Sequence, residues 1–132
     1  MPTIQIALQQ VGPATTEATI RTHKVLVDRP KDKGGDDKGP MGGELLLAAL
    51  GGCFMSNLLA AIRAREADVS NVYTEVIGTL GDTPVRFTAI DMVVSADGAN
   101  AELLGKLVTI AERGCITANT LHDAVRLTVR TV

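Results

Sequence analysis

Tryptophan is absent from this 132-residue chain, and the only aromatic residues are Phe54, Tyr73 and Phe87. So few rings leave no stacking platform for single-stranded nucleic acid, and the core must be filled by Leu, Val, Ile and Ala. An excess of positive charge is missing too. Thirteen Lys and Arg stand against 15 Asp and Glu, for a formal net charge of −2. A phosphate-backbone partner needs the reverse balance, so no nucleic-acid partner is expected. Only two histidines, His23 and His122, and two cysteines, Cys53 and Cys115, are present, with no Cys-x-x-Cys pair. Structural zinc needs paired ligands at short spacings, so no metal is expected. The start, Met1-Pro2-Thr3-Ile4-Gln5-Ile6, lacks the basic stretch and apolar run of a secretory signal. A cytoplasmic, reducing setting is therefore expected, where thiols are metal-binding, catalytic or merely buried.

What the chain does have is apolar content, at 45%, enough for one domain covering residues 1–132. Polar–apolar alternation predicts antiparallel strands over residues 3–8, 16–22 and 24–27, with Gly12-Pro13 as a turn. Residues 31–40, charged and rich in glycine, read as an exposed loop. No Gly-Lys-Ser/Thr follows, so it is not a nucleotide loop. Residues 42–67 are helical in composition. Their central part, 45–62, carries no charge and is long enough to cross a bilayer. Gly51-Gly52, Ser56-Asn57 and the alternating flanks argue against a membrane span and for a helix buried on nearly every side. The remaining strands cannot cover both sides of such a helix, so a second copy is expected to, in a two-fold homodimer.

Further on, residues 69–80 and 85–95 make a long hairpin around the turn 81–84. Asn100 caps a helix over 101–113, with Leu103, Leu104, Leu107, Ile110 and Ala111 on one stripe. Another helical segment covers 115–124, and a strand over 125–132 ends the chain. The expected class is α+β: an antiparallel sheet on a long buried central helix, with two shorter C-terminal helices.

Chemistry centres on the two sulfurs. Cys53 lies mid-helix beside Gly51 and Gly52, whose missing side chains leave room above the sulfur. Cys115 follows Gly114 at the start of a short helix, where backbone amides favour a thiolate. Free cysteine is also a common buried filler, so reactivity depends on whether the two thiols meet. A sheltered pair could reduce a peroxide and close a disulfide.

Two segments carry a family resemblance. Val27-Asp28-Arg29-Pro30, Gly34-Gly35-Asp36, Gly39-Pro40 and Glu44-Leu45-Leu46-Leu47-Ala48-Ala49-Leu50-Gly51-Gly52-Cys53 resemble the first motif of the OsmC/Ohr family. Those are osmotically inducible and organic hydroperoxide resistance proteins. Cys115-Ile116-Thr117-Ala118-Asn119-Thr120-Leu121 is similar to the second motif. The resemblance implies an intertwined homodimer with two active sites at its interface and no bound cofactor. Cys53 would match the peroxidatic thiol and Cys115 the resolving one, with a dithiol or lipoyl-type reductant restoring both.

Departures from the pattern refine this. Peroxidase members carry an arginine near the first hairpin, whereas Gly12-Pro13-Ala14 has none, leaving Arg21 and Arg29 as the nearest substitutes. Of these, Arg21 is assigned to the site. Ile116 stands where the family usually has proline. Glu44, also implied in the site, precedes Cys53 by half a helical rotation more than two full turns. On one helix the two face opposite ways, so Glu44 must act from a partner chain or across a break at Gly51-Gly52. The expected function is a thiol-dependent peroxidase for organic hydroperoxides. The alternatives are a non-catalytic protein holding an apolar ligand in the dimer cleft, and a thiol redox sensor.

Overall fold

The computed structural model describes residues 1–98 and 100–132. The chain divides into two units, Met1–Leu46 and Leu47–Val132.

In the first unit, strands β1 (Ala7–Gln10), β2 (Thr16–Ile20) and β3 (His23–Val27) form an antiparallel sheet in that order. Leu8 pairs with Ala18, and Ala18 with Val25. Residues 31–40 carry mostly exposed side chains, as expected, but their backbone is tied around one buried carboxylate. Asp28 is 3% exposed. It accepts hydrogen bonds from the Thr15 hydroxyl at 2.7 Å and the amides of Arg29, Asp36 and Lys38 at 2.6, 3.3 and 3.2 Å. The loop packs so closely that a Cβ on Gly35 would overlap the Arg29 carbonyl, and one on Gly39 the Leu26 carbonyl.

The Thr15 hydroxyl, ahead of the opposing effect of burial and aided by the three amides, lowers the Asp28 pKa from 3.8 to about 2. A depressed carboxylate pKa stabilises the fold above the unfolded value and loses that effect on acidification through the folded one. Stability should therefore fall between about pH 4 and pH 2, and Asp28→Asn should flatten that part of a circular-dichroism acid titration. An unaltered slope would mean that the wired carboxylate does not govern acid stability.

Helix α1 (Gly42–Ala64) crosses the boundary between the units. At its start Glu44 reaches back to the Met41 amide at 2.8 Å, one half of a capping box. The helix stops three residues earlier than the composition suggests. Glu66 adopts φ 48°, and Ala67 N–H to Ile62 C=O (3.0 Å) with Glu66 N–H to Arg63 C=O (3.1 Å) closes a Schellman motif.

The second unit holds β4 (Ser70–Asp82), β5 (Val85–Asp97), α2 (Ala101–Arg113), α3 (Ile116–Leu121) and β6 (Arg126–Thr131). Its sheet runs β4-β5-β6. The β4–β5 hairpin is antiparallel, with Thr83-Pro84 between the strands. β6 joins β5 in parallel, Ile90 opposite Leu127 and Met92 opposite Val129. That is a departure from the all-antiparallel expectation, and it follows from α2 and α3, the helical crossover a parallel pair requires.

The α+β class holds. Ile90, Met92 and Val94 share the core with Leu50, Phe54 and Leu58 of α1 and Leu104, Leu107, Val108 and Ala111 of α2. On α2 the buried set follows an i, i+3, i+4, i+7 stripe, which takes in Val108 and leaves Ile110 41% exposed. Asn100 caps α2, accepting from Leu103 N–H at 2.8 Å.

As expected, the chain alone does not cover α1 on all sides, while the room expected over the sulfur needs correction. It buries one stripe of the helix only: Leu50, Gly51, Phe54, Leu58 and Ala61. Ala48, Ala49, Gly52, Ser56, Leu59 and Ala60 lie open. By length and composition α1 could span a bilayer, yet Leu50, Phe54 and Leu58 are fully enclosed by the protein itself. Nor does Gly51 make room over the sulfur. A Cβ there would come within 2.9 Å of Val76 Cγ2, so this glycine lets the helix press onto β4, while Gly52 faces open space.

Candidate functional site

Cys53 is half-buried on α1, one turn after Ala49 and one before Asn57. The Asn57 amide donates to the Ala111 carbonyl at 3.2 Å, fastening α1 to the last turn of α2. Gly114 then fits against that amide, since a Cβ on it would lie 3.4 Å from Asn57 Nδ2. The chain turns inward, and Cys115, with extended dihedrals (φ −84°, ψ 114°), becomes the residue that opens α3. It is fully buried. The first amides of a helix have no acceptor within it. Here the amides of Ile116 and Thr117 interact with the Cys53 sulfur.

The resulting cluster holds both thiols. Four groups act on the Cys53 sulfur and favour its thiolate: the Thr117 amide foremost, then the Cys115 thiol, the Thr117 hydroxyl and the Ile116 amide. Burial opposes them, but the net effect moves the Cys53 pKa below the ordinary thiol value. Cys115 Sγ lies 3.2 Å from Thr117 Oγ1. Both cysteines are free thiols.

The sequence expectation gave the α3 amides to Cys115. The geometry instead has Cys115 before them, so their partial charge falls on the other sulfur. Ile116 takes on meaning too, because its amide is a donor that a proline there would lack.

Glu44 and Arg21 belong to the first unit. The Glu44 carboxylate is exposed and occupied with the Met41 amide. Arg21 is exposed in the turn between β2 and β3, at φ 56°. Arg29 is also exposed and lines a cleft of about 470 Å³ with Ala14, Asp28, Lys33, Met41 and Gly42. Among the described residues no group of three His, Cys, Asp or Glu side chains is placed to hold a metal ion.

Asn57 and Thr117 were not singled out by sequence reasoning. Asn57 had a signal of its own, as an amide inside a long uncharged run. Thr117 had only its place two residues after a cysteine.

One thiol on a long central helix, met by a second at the head of a short one over a mixed sheet, defines an α+β dithiol protein. The family model for OsmC-like protein matches residues 35–130, and the chain belongs to that family. No curated protein matches it by sequence. Solved structures match over nearly the whole fold. An OsmC-like protein from Mycoplasma pneumoniae is 17% identical at a TM-score of 0.84, with 99% of this chain and 96% of that one covered. An organic hydroperoxide resistance protein OsmC from Legionella pneumophila is 18% identical at 0.77, covering 99% and 97%. An organic hydroperoxide resistance protein from Elizabethkingia anophelis is 17% identical at 0.78, covering 99% and 96%. At these identities the likeness is one of fold.

Proposed function

We propose that the protein is a thiol-dependent peroxidase that reduces organic hydroperoxides, with Cys53 as nucleophile and Cys115 as resolving thiol. The observation that carries this reading is the convergence of the Thr117 amide and the Cys115 thiol on the Cys53 sulfur, which favours its thiolate. Membership of the OsmC-like family and likeness to two organic hydroperoxide resistance proteins support it.

The Cys53 thiolate attacks the terminal oxygen of ROOH. The O–O bond breaks, RO⁻ leaves and takes a proton to become ROH, and the sulfur becomes a sulfenic acid. Cys115 then attacks that sulfur. The S–O bond breaks, water leaves with the thiol proton, and a Cys53–Cys115 disulfide forms. An external dithiol, of lipoyl type, returns both sulfurs to thiols and becomes a disulfide itself. No bound cofactor takes part, and a cytoplasmic, reducing setting suits the cycle.

A homodimer belongs to this reading. The open, uncharged face of α1 suits a second copy. Because α1 runs unbroken through Gly51-Gly52, Glu44 would serve the thiol of the partner chain. Arg21 or Arg29 would supply the cation that orients the peroxide.

With dihydrolipoamide as reductant, the protein should consume cumene hydroperoxide continuously, and it should sediment at twice its 13.8 kDa chain mass. Peroxide loss no faster than in buffer with reductant alone would end the peroxidase reading. A sedimenting species of one chain would end the dimeric part of it.

A further inference from the structure

The donors to Cys53 account for the first step of that cycle, but the resolving step needs a proton path of its own. Cys115 is fully buried, so bulk water has no ready access to its proton. Its sulfur lies 3.2 Å from the Thr117 hydroxyl, and the same hydroxyl also interacts with the Cys53 sulfur. One O–H group therefore lies against the Cys115 sulfur and acts on that of Cys53, the two partners of the disulfide to be formed. A hydroxyl accepts and donates at once, whereas the neighbouring amides of Ile116 and Thr117 can only donate.

Resting on the peroxidase reading, we propose that Thr117 relays the proton in the resolving step, taking it from Cys115 and handing its own to the oxygen leaving Cys53. As the Cys115 sulfur attacks, its S–H proton passes to Thr117 Oγ1. The proton already on Oγ1 passes to the sulfenic oxygen, which departs as water while the S–S bond forms. Thr117 ends as a neutral hydroxyl with one proton exchanged, so no further acid, base or oxidant is needed. A positioned proton donor–acceptor of this kind contributes on the order of a hundredfold.

The pair Thr117→Val and Thr117→Ser separates relay from packing. Valine keeps the branched shape and the backbone amide but removes the hydroxyl, while serine restores the hydroxyl with less bulk. Each reduced protein is mixed with one equivalent of cumene hydroperoxide and sampled with a sulfenic-acid trap. Decay of the Cys53 sulfenic acid into disulfide is followed from pH 5 to 9. Thr117→Val should convert its Cys53 sulfenic acid to disulfide about a hundredfold more slowly, a rate read from the decay after formation and so separate from any slowing of the first step. Its conversion should accelerate with rising pH, since hydroxide now has to take the Cys115 proton. Thr117→Ser should convert at nearly the original rate.

Disulfide formation by Thr117→Val at the original rate and pH profile would overturn the relay and leave the peroxidase reading intact. Failure of the unaltered protein to form any sulfenic acid would overturn both.

Discussion

Cys53→Ser protein is expected to reduce cumene hydroperoxide no faster than buffer and reductant alone. The four donors around residue 53 are matched to a sulfur anion. A serine hydroxyl in the same place stays protonated at neutral pH, so the same donors have no nucleophile to stabilise. An acceleration of three orders of magnitude is roughly 4 kcal/mol of barrier, and the loss should be about that size or larger. Cys53 is only half-buried, and oxygen for sulfur removes little volume, so circular dichroism and Tm should stay close to those of the unaltered protein. Unchanged turnover in this variant would take the nucleophile away from Cys53.

Phe54→Ala should instead damage the scaffold. Phe54 is fully buried, the neighbour of Cys53 on α1 and part of the same core as Ile90, Met92, Leu107 and Cys115. With no tryptophan and only one other phenylalanine in the chain, no larger ring is at hand to collapse into the gap. Truncating a buried Phe to Ala costs about 3–5 kcal/mol, set against a typical total stability of roughly 5–15 kcal/mol. A fall in Tm of roughly 10–20 °C follows for a chain of this size. Because Cys115 and Ala118 sit in that core, the head of α3 should loosen as well, and the Cys53 thiol should titrate at higher pH. A Tm within about 3 °C of the original would show that the core does not depend on this ring.

How much of this was legible beforehand varies from residue to residue. The long helix, the hairpin and the Asn100 cap were written in local patterns of composition, alternation and turn chemistry, which act over a few positions. The early end of α1 was not, because Glu66 carries no composition signal for a left-handed residue; the Schellman closure around Ala67 shows it. The parallel pairing of β6 could not be read from residues 125–132, since alternation marks a strand but not its direction. Asp28 stood inside a recognised motif, yet its role as the hub of the following loop depends on Thr15, thirteen positions earlier.

At the site, the two cysteines stood out at once because the chain has no others. The resemblance to the OsmC/Ohr family, confirmed by the match over residues 35–130, assigned them to one pocket. Periodicity could not have shown which sulfur the α3 amides would face. That depends on Asn57 fastening α1 to α2 and on Gly114 fitting beneath it, contacts between segments distant in the chain. Thr117 is visible only once both sulfurs are placed.

The most direct measurement mixes the reduced protein with one equivalent of cumene hydroperoxide, then counts thiols and maps peptides under non-reducing conditions. Two thiols should vanish for each peroxide consumed, with the peptides of Cys53 and Cys115 joined and lighter by two hydrogens. Both thiols still titratable, or Cys53 driven to a sulfinic acid while Cys115 stays reduced, would contradict a shared dithiol site.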